Sequence, residues 1–349
     1  MGGLEMRKIA VLSAVLLAAV SCYDPYIKDY DFNAVYVAYQ YDLRTFVVGE
    51  GMKFRLTAGL GGVLENERDR KVDFEIDPQL VTGKLNWYWP GVTEDVTAFS
   101  EMSGKTSYGK ISQSYVTEAL AASGISELQP LPRSVYYLSD DSIVIKEGRM
   151  TGSVTVEADS LAFLSLPQAA GRTRYAIGFK IVSADADSVL RQKAYQVCAV
   201  RYENMFFGYW YHGGETTVVD SGGNVVETRS YPLRIPSDPS TSEVYTLSTC
   251  APNAVTTNYM GDGEGSLKLV YDGGFVKVSS NDPTRKVVDM ESTFNRASLL
   301  QDRKLFLNYR YENPDGTICI VKDTLAFRNR IRDGVNEWQD SNISHYEKQ

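Results

Sequence analysis

Cys22 is the residue whose chemistry is best defined by its neighbours. It follows Ala18-Ala-Val-Ser21, small side chains that a signal peptidase seats in shallow pockets, and its thiol is then the acceptor for a diacylglycerol. Arg7 and Lys8 form a basic flank, and Ile9 to Val20 is apolar except for Ser13. That run is shorter than the roughly 18 to 20 residues a membrane span requires, so the pattern predicts a cleaved lipoprotein signal over residues 1–21. Ala19 stands where a leucine is common in such signals. A second chemistry is offered by Trp87-Tyr88-Trp89, with Tyr108 further on. Flat aromatic faces pack against sugar C–H groups while their polar edges hydrogen-bond outward. On a strand Trp87 and Trp89 would share a face and Tyr88 would oppose them. Two readings stay open: the indoles form the private core of a loop, or they meet a ligand or partner.

Other chemistries are poorly supplied. His212 and His345 are the only histidines, and His212, near Gly213-Gly214 at a predicted strand end, reads as an ordinary surface or hydrogen-bonded residue. There is no CxxC. Cys198, Cys250 and Cys319 are predicted to be buried free thiols, a Cys250–Cys319 bridge being the alternative. Met260-Gly-Asp-Gly-Glu-Gly265 lacks the ligand spacing of a calcium loop and reads as an acidic turn. No metal or cofactor is expected. The 349-residue chain carries a net charge of −8, which gives it no electrostatic reason to seek nucleic acid.

The elements that must position these residues are mostly strands. Period-two alternation runs through Val35-Val37-Tyr39, Phe54-Leu56-Ala58, Val72-Phe74-Ile76, Val154-Val156-Ala158 and Tyr175-Ile177-Phe179-Ile181. Val48-Gly-Glu-Gly51 and Lys146-Glu-Gly148 read as turns. One helix is predicted over Tyr115–Ser123, stopped by Gly124. Hairpin signals at Asp220–Asn224, Tyr271–Gly274 and Asn313–Gly316 predict a meander that a barrel would rid of its edges. The expected fold is therefore mainly β: an immunoglobulin-like β-sandwich over 34–203, followed by an antiparallel β-barrel or meander over 204–349. Residues 22–33 are a tether. Phe206-Phe-Gly-Tyr-Trp-Tyr-His212 opens the second unit, with Phe207, Tyr209 and Tyr211 on one face and Trp210 on the other. Arg328, Arg330 and Arg332 form either an anion-binding row or a last strand paired with the acidic surface, with Trp338 sealing the barrel.

Several phrases resemble a family of Bacteroidetes outer-membrane lipoproteins of unknown function found beside polysaccharide-utilisation genes. They are Gly61-Gly-Val63, Val72-Asp-Phe-Glu-Ile-Asp-Pro78, Leu131-Pro-Arg-Ser-Val-Tyr136, Ile145-Lys-Glu-Gly148, Tyr175 to Ala184, and Leu325 to Trp338. The resemblance implies an immunoglobulin-like or adhesin-like domain, then an uncharacterised β-rich domain, and transfers no catalytic residues. It departs over 82–115, where an aromatic insertion intervenes. The implied place is the outer membrane, facing the surface, with lipid at Cys22. The implied role is non-catalytic glycan binding that supports uptake beside a transporter. A structural or adhesin-like lipoprotein contacting a protein partner is the alternative, and a glycoside-active enzyme the third reading.

Overall fold

The computed structural model describes residues 32–82, 114–124, 128–168, 170–233 and 243–338. The first eleven strands are β1 (Ala34–Tyr36), β2 (Tyr41–Val48), β3 (Lys53–Gly61), β4 (Arg70–Ile76), β5 (Gln129–Pro130), β6 (Tyr136–Leu138), β7 (Ser142–Ile145), β8 (Thr151–Ala158), β9 (Tyr175–Ala184), β10 (Ser188–Val189) and β11 (Tyr195–Asn204). They form two sheets, β10-β1-β3-β8-β6 and β2-β11-β9-β4-β7, with β5 beside β9. The alternation read from the sequence explains the packing. Phe54, Leu56, Val154 and Val156 from one sheet meet Phe46, Val72, Phe179 and Val200 from the other in a single core, the middle of a sandwich. β11 lies between β2, which it pairs in parallel, and antiparallel β9.

The second sheet is buried on both sides. Three helices are described, α1 (Gln79–Thr82), α2 (Ser114–Ser123) and α3 (Ser160–Leu164). Leu80 and Val81 of α1 and Val116 and Leu120 of α2 cover Leu43, Val197 and Ala199 on the outer face. That burial accounts for the unbroken apolar run Val197-Cys-Ala-Val200, and Cys198 is fully enclosed. Tyr115 ties α2 to β2 through a 2.6 Å hydrogen bond to Asp42 Oδ1.

The remaining strands are β12 (Gly208–Val219), β13 (Val225–Tyr231), β14 (Val244–Ala251), β15 (Ala254–Met260), β16 (Gly263–Asp272), β17 (Phe275–Ser280), β18 (Val287–Asp289), β19 (Thr293–Phe294), β20 (Lys304–Glu312), β21 (Ile318–Arg332) and β22 (Val335–Trp338). They pair in the order β12-β14-β15-β16-β17-β19-β20-β21, and β21 returns to β12, so the sheet closes into an antiparallel barrel. The three hairpin signals fall at the β12–β13, β16–β17 and β20–β21 turns. Trp210, Tyr245, Leu269, Val278, Leu307, Val321 and Phe327 fill the interior. Phe207, just ahead of β12, and Trp210 are buried in this same core rather than on opposite faces, whereas Tyr209 and Tyr211 are only half-buried.

Three expectations need correction. Cys250 is exposed, not buried; Cys198 and Cys319 are the buried thiols, and all three are free. His212 is not at a strand end, because β12 runs through Gly213-Gly214 to Val219, and its imidazole is buried. Arg330 does not pair with an outer acidic surface, since its side chain is 1 % exposed. A bulge between Tyr209 and Trp210 explains this. Opposite it, Phe327 and Asn329 pair with neighbouring residues of β12, so Arg328 is the extra residue and the alternation restarts with Arg330 inward. Trp338 pairs with Asn329 through the backbone, and its side chain lies outside the described residues.

Candidate functional site

The seam between sandwich and barrel holds an open cleft of about 760 Å³. Its first element is the β2–β3 turn. Gly49 and Gly51 have φ of 95° and 88°, which lets the chain reverse within Gly49–Met52 and push Glu50 toward the barrel. A Cβ on Gly49 would stand 2.7 Å from Met205 Sδ, so glycine also lets the turn approach closely. Val47, Met205 and Phe206 pack into the barrel core beneath it.

Two arginines meet Glu50 there. Arg330 Nη1 and Nη2 donate to its two carboxylate oxygens at 2.9 and 2.7 Å, a bidentate fork. Arg303, placed by the short turn Leu300–Asp302, donates from Nη1 to Glu50 Oε1 at 2.5 Å and to the Met205 carbonyl at 3.1 Å. Arg330 Nε also donates to Glu337 Oε2 at 2.5 Å, and Arg332 pairs with the same carboxylate. Burial pushes the Glu50 carboxyl upward, but the two guanidiniums outweigh it and hold its pKa at about 2. The Arg330 guanidinium is likewise held charged against its burial by Glu50 and Glu337. Tyr271 and Phe294 form another wall, 6.0 Å apart and edge to face.

Gly208 makes the seam possible. Its φ is +125°, and a Cβ there would lie 2.6 Å from Arg330 Cβ and 2.8 Å from the Asn329 carbonyl. Gly208→Ala is expected to cost at least ~2 kcal/mol, from backbone strain and overpacking together. Urea unfolding measures this; a change under about 0.5 kcal/mol would show that the backbone relaxes freely.

A second polar cluster lies inside the barrel. Asp323 accepts from Tyr231 OH at 2.9 Å and from Tyr309 OH at 3.1 Å. Tyr309 OH accepts from the Gly261 N–H at 2.7 Å, and Tyr245 OH donates to the Gly261 carbonyl. His212 Nδ1 lies 3.1 Å from Glu243 Oε2, and its Nε2 lies 3.1 Å from Asp323 Oδ1. The second contact has the distance for charge attraction but not the angle of a hydrogen bond. The His212 ring stacks on Tyr245 at 4.1 Å. Burial first, and the Asp323 charge second, raise the Tyr231, Tyr245 and Tyr309 phenols, so they stay protonated as donors. The cluster braces the barrel from within and faces no described cleft. The turn at Met260–Gly265 is a tight hairpin whose Asp262 pairs with Arg229 at 3.2 Å.

Cys22, Trp87, Tyr88, Trp89 and Tyr108 all lie outside the described residues. Among the described residues, no group of three His, Cys, Asp or Glu side chains could hold a metal ion. Glu50 and Arg303 escape a sequence reading, because their meeting depends on two units folding against each other. Lys53 and Arg55 could have been found: the alternation that buries Phe54 and Leu56 puts them on the outer face of β3, at the cleft edge.

A family model for an N-terminal domain matches residues 28–188. No protein of curated function matches the chain. A Bacteroides ovatus crystal structure from structural genomics, of unknown function, is 19% identical, with 89% of this chain and 99% of that chain covered and a TM-score of 0.56. A multidomain Bacteroides ovatus protein is 11% identical, with 86% and 95% covered and a TM-score of 0.35. A Bacteroides ovatus protein provisionally named for carbohydrate binding is 12% identical, with 88% and 73% covered and a TM-score of 0.31. The first of these shares the fold along nearly all of both chains. The organism agrees with the Bacteroidetes resemblance of the sequence.

Proposed function

We propose that this chain is a non-catalytic, lipid-anchored protein of the outer membrane that binds glycan, with the lipid on Cys22 and the sugar in the cleft at the seam. The cleft is the observation that most supports this reading. It opens to solvent, and its lining places the rings of Tyr271 and Phe294 beside guanidiniums. Hydrolysis would need two carboxylates flanking one bond, one of them able to give a proton. Glu50, held at a pKa of about 2 by Arg330 and Arg303, has no proton to give at neutral pH.

The full chain carrying Cys22→Ala tests both halves of the reading. It should leave the membrane fraction for the soluble one with its β-type circular dichroism intact, and on a glycan array it should retain at least one saccharide. Retention in the membrane after a carbonate wash would refute the anchor. A folded, soluble chain that binds nothing on the array would refute glycan capture.

A further inference from the structure

We infer that the glycan recognised at this seam is acidic, carrying carboxylate or sulfate groups; this rests on the glycan reading above. The cleft does not end at its aromatic wall. Lys53 and Arg332 line both it and an adjoining recess of about 270 Å³, so the two form one trough. The sandwich contributes Arg44, Lys53 and Arg55 to its walls, and the barrel contributes Arg296, Arg303 and Arg332.

Four carboxylates nearby are already engaged, and a fifth, Glu157, stands opposite Lys53 on β8 with no ion pair among the described residues. Glu50 is held by Arg330 and Arg303, and Asp42 pairs with Arg44 at 2.9 Å. Glu337 serves Arg330 and Arg332. Asp333 accepts from the Thr45 N–H at 3.0 Å and from Thr45 Oγ1 at 2.7 Å, and burial raises its carboxyl, which lessens the negative charge it can offer. Cations remain. Lys53 and Arg55 are exposed and form no ion pair among the described residues. Arg303 Nε is buried in the wall with no hydrogen-bond acceptor among the described residues. A positive trough on a chain of net charge −8 is a local inversion of field, which draws anions to that place and repels them elsewhere.

The geometry favours a chain of charges over a single ion. Lys53 and Arg55 are two positions apart on one face of β3, roughly 6.6 Å along the strand. Arg303 and Arg296 line the same trough from the barrel. Guanidiniums match the planar oxygens of carboxylate and the oxygens of sulfate, whereas a neutral sugar would leave these cations without counter-charge.

Matched polymers that differ only in charge test this on the Cys22→Ala chain: dextran against dextran sulfate, and polygalacturonate against its methyl ester. The charged member of at least one pair should bind about tenfold more tightly or better, and its affinity should fall as salt rises from about 50 to 500 mM. Which pair responds tells sulfate from carboxylate. Lys53→Gln with Arg55→Gln should weaken that binding about tenfold with the melting temperature unchanged, because both side chains are exposed and unpaired. Equal affinity within both pairs would overturn the inference, as would acidic binding indifferent to the double substitution. Retention of neutral dextran or the methyl ester alone would overturn the charge while leaving glycan capture standing; binding of no polymer and of nothing on the array would reject both.

Discussion

Glu50→Gln should destabilise the protein by about 3 to 5 kcal/mol at pH 7, because it leaves buried Arg303 without its counter-charge and Arg330 with only Glu337, which Arg332 shares. The side chains of Arg330 and Arg303 are only 1 % and 6 % exposed, so water cannot replace the carboxylate. The pH dependence gives a sharper test. The Glu50 carboxyl is held at about 2, against an ordinary value of 4.5. A depressed acid stabilises fully above its unfolded pKa, and that stabilisation is lost as pH falls through the folded one. The gap between wild type and Glu50→Gln should therefore be full above about pH 4.5 and shrink by about 3 kcal/mol toward pH 2. Glu203 and Asp333, both raised chiefly by burial, contribute in the opposite sense, so the difference between the two proteins is the proper readout. Urea titrations at several pH values measure it, and a gap that stayed constant from pH 7 to pH 2.5 would mean that Glu50 is not ionised in the fold.

Asp323→Ala is expected to cost a similar ~3 to 5 kcal/mol, by a different route. The substitution strands the hydroxyls of half-buried Tyr231 and fully buried Tyr309 and removes the carboxylate beside the buried His212 ring. For a chain of 349 residues unfolding as one unit that corresponds to a fall in melting temperature of roughly 4 to 7 °C. Near-ultraviolet circular dichroism should change with it, since His212 stacks on Tyr245 and Tyr245 on Tyr259. A loss below about 1 kcal/mol would show that the cluster admits water or rearranges without cost.

Much of the architecture was legible from alternation and turn chemistry. Phe54 and Leu56 lie opposite Val156 and Val154 on paired strands, and each predicted hairpin turn is a turn. The helix begins at Ser114, one residue ahead of its predicted start. The errors have local causes. Gly213-Gly214 looks like a break in the sequence, but a strand whose backbone is paired on both sides carries glycine without ending. The Arg328 to Arg332 row assumed uninterrupted alternation, and one bulge undid it. Cys250 is the extra residue where the β14–β15 register shifts, so its exposure also follows from a bulge. The site was less legible for a deeper reason. Glu50 and Arg330 are 280 positions apart, and nothing local in either segment encodes the other.

The placement of β11 also sets an order of events during synthesis. The second sheet of the sandwich cannot be finished by the ten strands that precede β11, because β2 and β9 flank a gap that only Tyr195–Asn204 fills. A ribosome that stops before residue 195 releases a chain with two unsatisfied strand edges, the kind of surface that recruits chaperones or seeds aggregation. The strand that ends this exposure runs within four residues into the first strand of the barrel. Completing one unit thus delivers the start of the next to the place where it must fold.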